Sequence, residues 1–227
     1  MIAGSSRLVR LVSVANYPRR ILKASCGVFL LTLLGRSDIL KFIIKTVFMR
    51  KIIATEFLSL DGIFEEPGTW SMSYVNDQFF KYKTEELMQT SAFLLGRVTY
   101  EGFAKAWPPR KGADDFSNRF NAMPKFVISN TLMHADWENS SVLKNIDEIR
   151  KLKEQPGGDI LLQGSGMLLN SLLQQGLIDE IKMLVYPVVL GTGRHLFQTV
   201  KDLKLKLVEC KNFTTGVVAL KYEPIKQ

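Results

Sequence analysis

Two cysteines and two histidines in 227 residues leave little material for thiol or metal chemistry. Cys26 and Cys210 lie far apart and belong to no CxxC or zinc-type pattern, so no metal site is expected and a reduced, cytoplasmic protein is the default. His134 and His195 are equally distant from one another and have no triad partner at a recognisable spacing, which leaves both as structural or surface residues. Internal repeats and low-complexity tracts are absent. The uncharged run Cys26–Leu34 is too short to span a bilayer.

Charge is present but unevenly placed. Residues 1–48 hold eight Lys and Arg against a single acid, Asp38, so nearly all of the formal +8 sits there. The remainder is close to neutral and gives no reason to expect a nucleic-acid partner. Residues 1–48 read most simply as a basic and apolar extension outside the fold. A membrane-surface helix and a signal peptide are the alternatives, although Gly35-Arg36-Ser37 makes a poor cleavage site. Met49-Arg50-Lys51-Ile52-Ile53 looks like the start of a domain running over 49–227, for which no membrane contact is expected.

Within that domain the pattern is one of strands alternating with helices. Lys51–Leu58 is β-like and runs into Ser59-Leu60-Asp61-Gly62-Ile63, where Asp-Gly marks a turn. The loop Glu65-Glu66-Pro67-Gly68-Thr69-Trp70 is of the kind that covers a site. A helix is predicted over Asn76–Gln89 with Asn76 as its cap, then a strand at Ala92–Leu95, then a helix opening at Gly96-Arg97. Ala113–Met123 reads as a helix, Phe126–Ile128 as a strand ending in Ser129-Asn130-Thr131, and Asn145–Gln155 as a charged helix. Ile160-Leu161-Leu162 leads through Gly164-Ser165-Gly166 into a helix stopped by Gly176. Ile181–Leu190 is β-rich, with Pro187 marking a bulge or an edge, and Leu203–Lys211 and Val217–Tyr222 flank a loop of hairpin length. The order predicts an α/β fold, a three-layer αβα sandwich on a mixed, mostly parallel sheet with antiparallel C-terminal strands.

Three strand ends carry groups suited to an anion: Gly96-Arg97 with Thr99, Ser129-Asn130, and Gly164-Ser165-Gly166. A glycine turn before a helix lets backbone N–H groups approach a phosphate, and the helix N-terminus adds partial positive charge. An arginine in the first helical turn is disfavoured by that same dipole, and makes sense beside a threonine hydroxyl if an anion lies between them. The GSG turn lacks the third glycine of the dinucleotide fingerprint and the lysine of a P-loop. Ligands in such sheets lie outside the carboxyl ends of the strands, so three such turns at one edge reinforce each other.

The ordered segments SLDGI, LLGRVTYEGF, KFVISNT and DILLQGSGMLLNSLLQQGLIDEIKMLVYPVVLGTGRHLF resemble the reductase domain of riboflavin biosynthesis, the C-terminal half of the bifunctional deaminase–reductase, which has the dihydrofolate-reductase fold. The resemblance covers about residues 49–225 and is stronger still to the stand-alone bacterial dihydrofolate-reductase-like proteins of that family. It implies an NADPH-dependent reductase acting on a small flat heterocycle or a carbonyl compound, and a homodimer. Arg97 and Thr99 would hold cofactor phosphates, Ser129 and Asn130 would sit near the adenosine ribose, and Gly164, Ser165, Gly166 and Met167 would wrap the diphosphate. Gly96 opens the first of these turns. Ala54, Asp61 and Gly62 would border the nicotinamide and the substrate, with Asp61 as the proposed acid. Two positions depart from the family: Ile63 stands where a lysine is usual, and Gln163 where a glutamate is usual. Both fall where substrate would be held, and both argue against the riboflavin pyrimidine as substrate. A protein that keeps the fold and binds a nucleotide without catalysis, as a sensor, is the alternative. Trp70 and Tyr74 could stack on a flat ring or pack as a lid.

Overall fold

The computed structural model describes residues 49–225, so the readings of residues 1–48 lie outside the described residues. The chain runs β1 (Ile52–Ser59), a loop with a helical turn at Pro67–Trp70, α1 (Asp77–Gln89), β2 (Thr90–Gly96), α2 (Arg97–Ala106), α3 (Asp115–Ala122), β3 (Lys125–Ile128) and β4 (Ser140–Leu143). It continues with α4 (Ile146–Glu154), β5 (Asp159–Gln163), α5 (Gly166–Gln174), β6 (Glu180–Tyr186), β7 (Leu205–Asn212) and β8 (Val218–Pro224). The eight described strands form one sheet in the order β4-β3-β2-β5-β1-β6-β8-β7. β1 to β6 pair in parallel, and β8 alone runs against its neighbours, β6 and β7. This is the dihydrofolate-reductase-like α/β arrangement expected from the sequence.

Side chains alternate across the sheet, so each central strand feeds two cores. Ile52, Ala54 and Leu58 of β1 join Ile160 and Leu162 of β5 beneath α4 and α5. Ile53 and Leu161 face the other way, with Phe93, Leu95, Phe120 and Trp137. Helix starts follow their caps: the side chains of Asn76, Asp114 and Asn145 accept from the backbone N–H groups of Phe79, Ser117 and Glu148 at 3.0, 2.7 and 3.0 Å. Gly176, at φ +63°, takes the left-handed conformation that ends α5.

Two elements differ from the sequence reading. β4 is an additional strand, parallel to β3, formed by the short segment Ser140–Leu143. β6 stops at Tyr186 because Pro187 has no N–H to continue the ladder, and Val188–Leu190 turn away as loop. Trp70 and Tyr74 pack edge-on against Tyr186, with ring centroids 5.3 and 5.7 Å away, and the Trp70 indole donates to the Glu65 carbonyl.

Candidate active site

The site arises from a strand that is shorter than its neighbours. β5 pairs with β1 only as far as Thr55 and with β2 only as far as Leu94. β1 continues beside β6 to Ser59, and β2 continues beside β3 to Gly96. A gap therefore opens beyond Gln163, at the carboxyl edge of a parallel sheet, between the ends of β1 and β2. It forms a cleft of about 450 Å³, a size that takes a small organic ligand. Thr55, Glu56 and Phe57 make one wall, Val98, Thr99 and Phe103 of α2 the opposite wall, and Gln163-Gly164-Ser165 the inner end. Phe64 to Pro67 and Arg194 form the rim.

The glycines let the two turns meet. A Cβ at Gly96 would lie 2.7 Å from the Ser165 Cβ, and one at Gly164, which has φ +59°, would lie 3.0 Å from the Thr99 hydroxyl. A Cβ at Gly166 would strike the Phe64 ring at 2.6 Å. These contacts bring the N-termini of α2 and α5 to one edge. Gly96, the N-cap of α2, has no side chain to satisfy the first N–H groups of that helix. Ser165 caps α5 only through a long 3.5 Å contact to the Leu168 N–H. Unsatisfied donors and positive helix ends thus converge there, a donor set that fits a diphosphate.

The rim is held by carboxylates. Asp61 accepts from the backbone N–H groups of Leu190 and Gly191 at 3.2 and 2.8 Å. The Ser59 hydroxyl and these N–H groups hold its pKa down at about 2. Glu65 accepts from the Arg194 guanidinium, and from the Arg194 N–H at 2.7 Å, so its pKa is also lowered. An isolated bridge joins Ile63 to His195.

Glu56 behaves in the opposite way. It is 6% exposed, and its Oε1 has no hydrogen-bond partner. Burial pushes its pKa up to about 8, against the pull of the Lys83 charge.

The residues singled out from sequence separate into three groups. Thr99, Gly164 and Ser165 line the cleft, and Gly166 and Met167 line an adjoining recess of about 180 Å³ beside His195 and Leu196. Gly96 packs beneath Ser165, and Arg97, Ser129 and Asn130 lie at the β2 and β3 ends of the same edge. Arg97 is paired with Glu101 at 2.9 Å, and the Ser129 hydroxyl accepts from the Thr131 and Leu132 N–H groups. Ala54 is fully buried in the core, and Gly62 and Asp61 belong to the rim turn rather than to the cleft lining. Through its bonds to the Leu190 and Gly191 N–H groups Asp61 braces the rim turn, and those bonds favour its charged form.

Sequence reasoning passed over Glu56, Phe64 and Arg194. For Glu56 a signal existed: it lies between Ala54 and Leu58, on the face of β1 that alternation sends into a core. Arg194 carried none, because its neighbour Glu65 is far away in sequence.

Among the described residues no group of His, Cys, Asp and Glu could hold a metal ion, and no helix is long and apolar enough to cross a membrane. The sequence pattern of the RibD C-terminal domain matches residues 50–219. The uncharacterised protein YyaP of Bacillus subtilis is 32% identical over 178 residues, which is 76% of this chain and 94% of that protein. Dihydrofolate reductase from Enterococcus faecalis, solved with NADP(H), superimposes with a TM-score of 0.57 at 14% identity, over 79% of this chain and 99% of the enzyme. RibD from Acinetobacter baumannii gives a TM-score of 0.57 at 17% identity, over 78% of this chain and 59% of that one. Sequence match and sheet topology agree, and the chain belongs to the RibD C-terminal domain family, a reductase-type family with the dihydrofolate-reductase fold.

Proposed function

We propose that the protein is an NADPH-dependent reductase of a small flat heterocycle, pterin- or pyrimidine-like, or of a small carbonyl compound. The observation that carries this reading is the convergence of two glycine-opened helix N-termini on one cleft at the carboxyl edge of the sheet. Bound NADPH would supply a hydride. The chain's own part is to hold and orient. Backbone N–H groups around Gly164, Ser165, Gly166 and Met167, with the Thr99 hydroxyl, would bind the diphosphate. Arg97, Ser129 and Asn130, farther along the edge, would meet the adenosine end and its 2′-phosphate, Arg97 exchanging Glu101 for phosphate. Phe57 and Phe103 in the walls and Phe64 at the rim give the cleft apolar surfaces that would exclude water from a flat ring.

Calorimetric titration of the full chain with NADPH and with NADH tests the reading. Micromolar NADPH binding with weaker NADH binding is the expected outcome, followed by NADPH consumption in a screen of pterins, aminopyrimidines and small carbonyls. Arg97→Ala should weaken NADPH more than NADH; equal losses would remove its 2′-phosphate role. Gly164→Val should abolish binding of both nucleotides, since the new side chain meets Thr99 in a left-handed backbone. If wild-type protein binds neither nucleotide, the strand-end turns serve packing alone and the reading fails.

A further inference from the structure

Glu56 is a carboxyl group that the sheet does not use. Its neighbours in β1 are accounted for. Thr55 accepts from Lys83 at 3.3 Å, and Phe57 packs against Phe79 and Tyr186. Glu56 points to the other face, between Ala54 and Leu58, where the surroundings are the apolar core and the cleft. The charges around it are already committed. On the α1 face, Lys83 is bonded to Glu86, and Lys182 lies 3.7 Å from both Glu86 and Glu180. At the rim, Arg194 is bonded to Glu65, and Glu66 is part of the outer lining. No cation is bonded to Glu56 among the described residues, and Oε1 is buried without a donor. A buried carboxylate in such a place is costly, whereas a carboxylic acid is not and carries a proton it can donate.

We propose that Glu56 is the acid of the cleft, a neutral carboxyl group that donates its proton to the nitrogen or oxygen acceptor of a bound substrate while the adjoining carbon is reduced. This rests on the reductase reading above. The substrate's C=N or C=O π bond breaks. Bound NADPH would supply a hydride, with both electrons, to the substrate's carbon, and the heteroatom would gain the Glu56 proton. Glu56 is left as carboxylate and regains a proton from water at the mouth. The substrate class follows: an uncharged acceptor next to the reducible carbon suits the cleft, and a carboxylate in that place does not. Burial without a paired cation keeps the proton on Glu56 through neutral pH, in the same way that apolar sites raise carboxyl pKa values elsewhere.

Infrared titration of the full chain, with NADPH binding measured alongside by calorimetry, is the test. A protonated-carboxyl band should persist at pH 7, fade with a midpoint near 8 and be missing from Glu56→Gln, whose neutral amide copies the acid's shape. Glu56→Gln should bind NADPH as wild type does. With 7,8-dihydropterin or a small aldehyde as the probe, it should oxidise NADPH at least ~100-fold more slowly. Wild-type protein that binds NADPH but shows no such band at pH 7 overturns the role of Glu56 and spares the reductase reading. So does Glu56→Gln turning over a probe at the wild-type rate. Wild-type protein that fails to bind NADPH overturns both. If neither probe is turned over, the band decides. If Glu56→Gln does not fold, wild-type thermal melting decides: stability should fall as pH rises from about 5 to about 8, and a flat or rising profile overturns the proposal.

Discussion

The two faces of the sheet at β1 treat buried carboxyl groups in opposite ways. On the α1 side, Glu86 and Glu180 are 2% and 5% exposed, comparable to Glu56 on the other side. Glu86 is bonded to Lys83, and Glu180 to Lys221 at 2.9 Å; Lys182 stands 3.7 Å from the remaining oxygen of each. Equal burial has produced a cross-linked charge network on one face and a lone acid on the other. Packing alone would not retain a lone acid, because an apolar residue of similar size would fill the same place without the desolvation cost. The difference separates a carboxyl group that holds the fold from one that is available for chemistry.

The largest effect should come from breaking the network. Glu86→Ala leaves Lys83 and Lys182 buried with part of their compensation gone, and should cost about 3–5 kcal/mol in urea denaturation. A loss below about 1 kcal/mol would show that water or rearrangement satisfies the lysines, and would blur the contrast between the faces.

A smaller effect follows from the lone acid. Its folded-state pKa is raised, so the stability it allows is complete below the unfolded value of 4.5 and declines as pH rises toward 8. The decline is steepest between those limits, at no more than about 1.4 kcal/mol per pH unit. Denaturation at pH 5 and at pH 8 should therefore show a fall in wild type that Glu56→Gln flattens. If the variant keeps the wild-type slope, another group is responsible.

The smallest effect is expected at the rim. The pKa of Asp61 is depressed, so its ties to Leu190 and Gly191 stabilise the protein above the unfolded value of 3.8 and are lost as pH falls toward 2. Asp61→Asn should leave melting at neutral pH nearly unchanged and remove a small part of the acid-induced loss. A large drop in NADPH-dependent turnover in Asp61→Asn, with NADPH binding intact, would instead return the acid's part to Asp61.

Much of the architecture was legible in the sequence. β1, β2 and β5 announce themselves as apolar runs because both of their faces are covered, and the caps at Asn76 and Asn145 mark helix starts chemically. β4 was not legible: Ser140-Ser141-Val142-Leu143 is half polar, and it becomes a strand only because the edge of β3 is there to pair with it. The three strand-end turns were correctly placed at one edge. What the sequence concealed is that Gly96 and Gly164 are also required for the turns to pack on each other, since that contact joins residues on different strands. Glu56 was within reach of a period-two reading. Arg194 was not, because only the folded chain brings it to Glu65.

The early end of β5 has a consequence for how such a protein changes over time. The cleft is made by ending a hydrogen-bond ladder a few residues early, and no core side chain is removed to create it. Its aromatic lining, Phe64, Phe103 and Phe57, belongs to the half-buried margins of the apolar clusters. Substitutions at Phe57, Phe64 or Phe103 can therefore reshape what the cleft accepts while the fully buried residues behind them carry most of the scaffold. An ancestral sheet of this kind can be passed from one substrate to another by altering its walls, at a cost in packing confined to the margins of the cores.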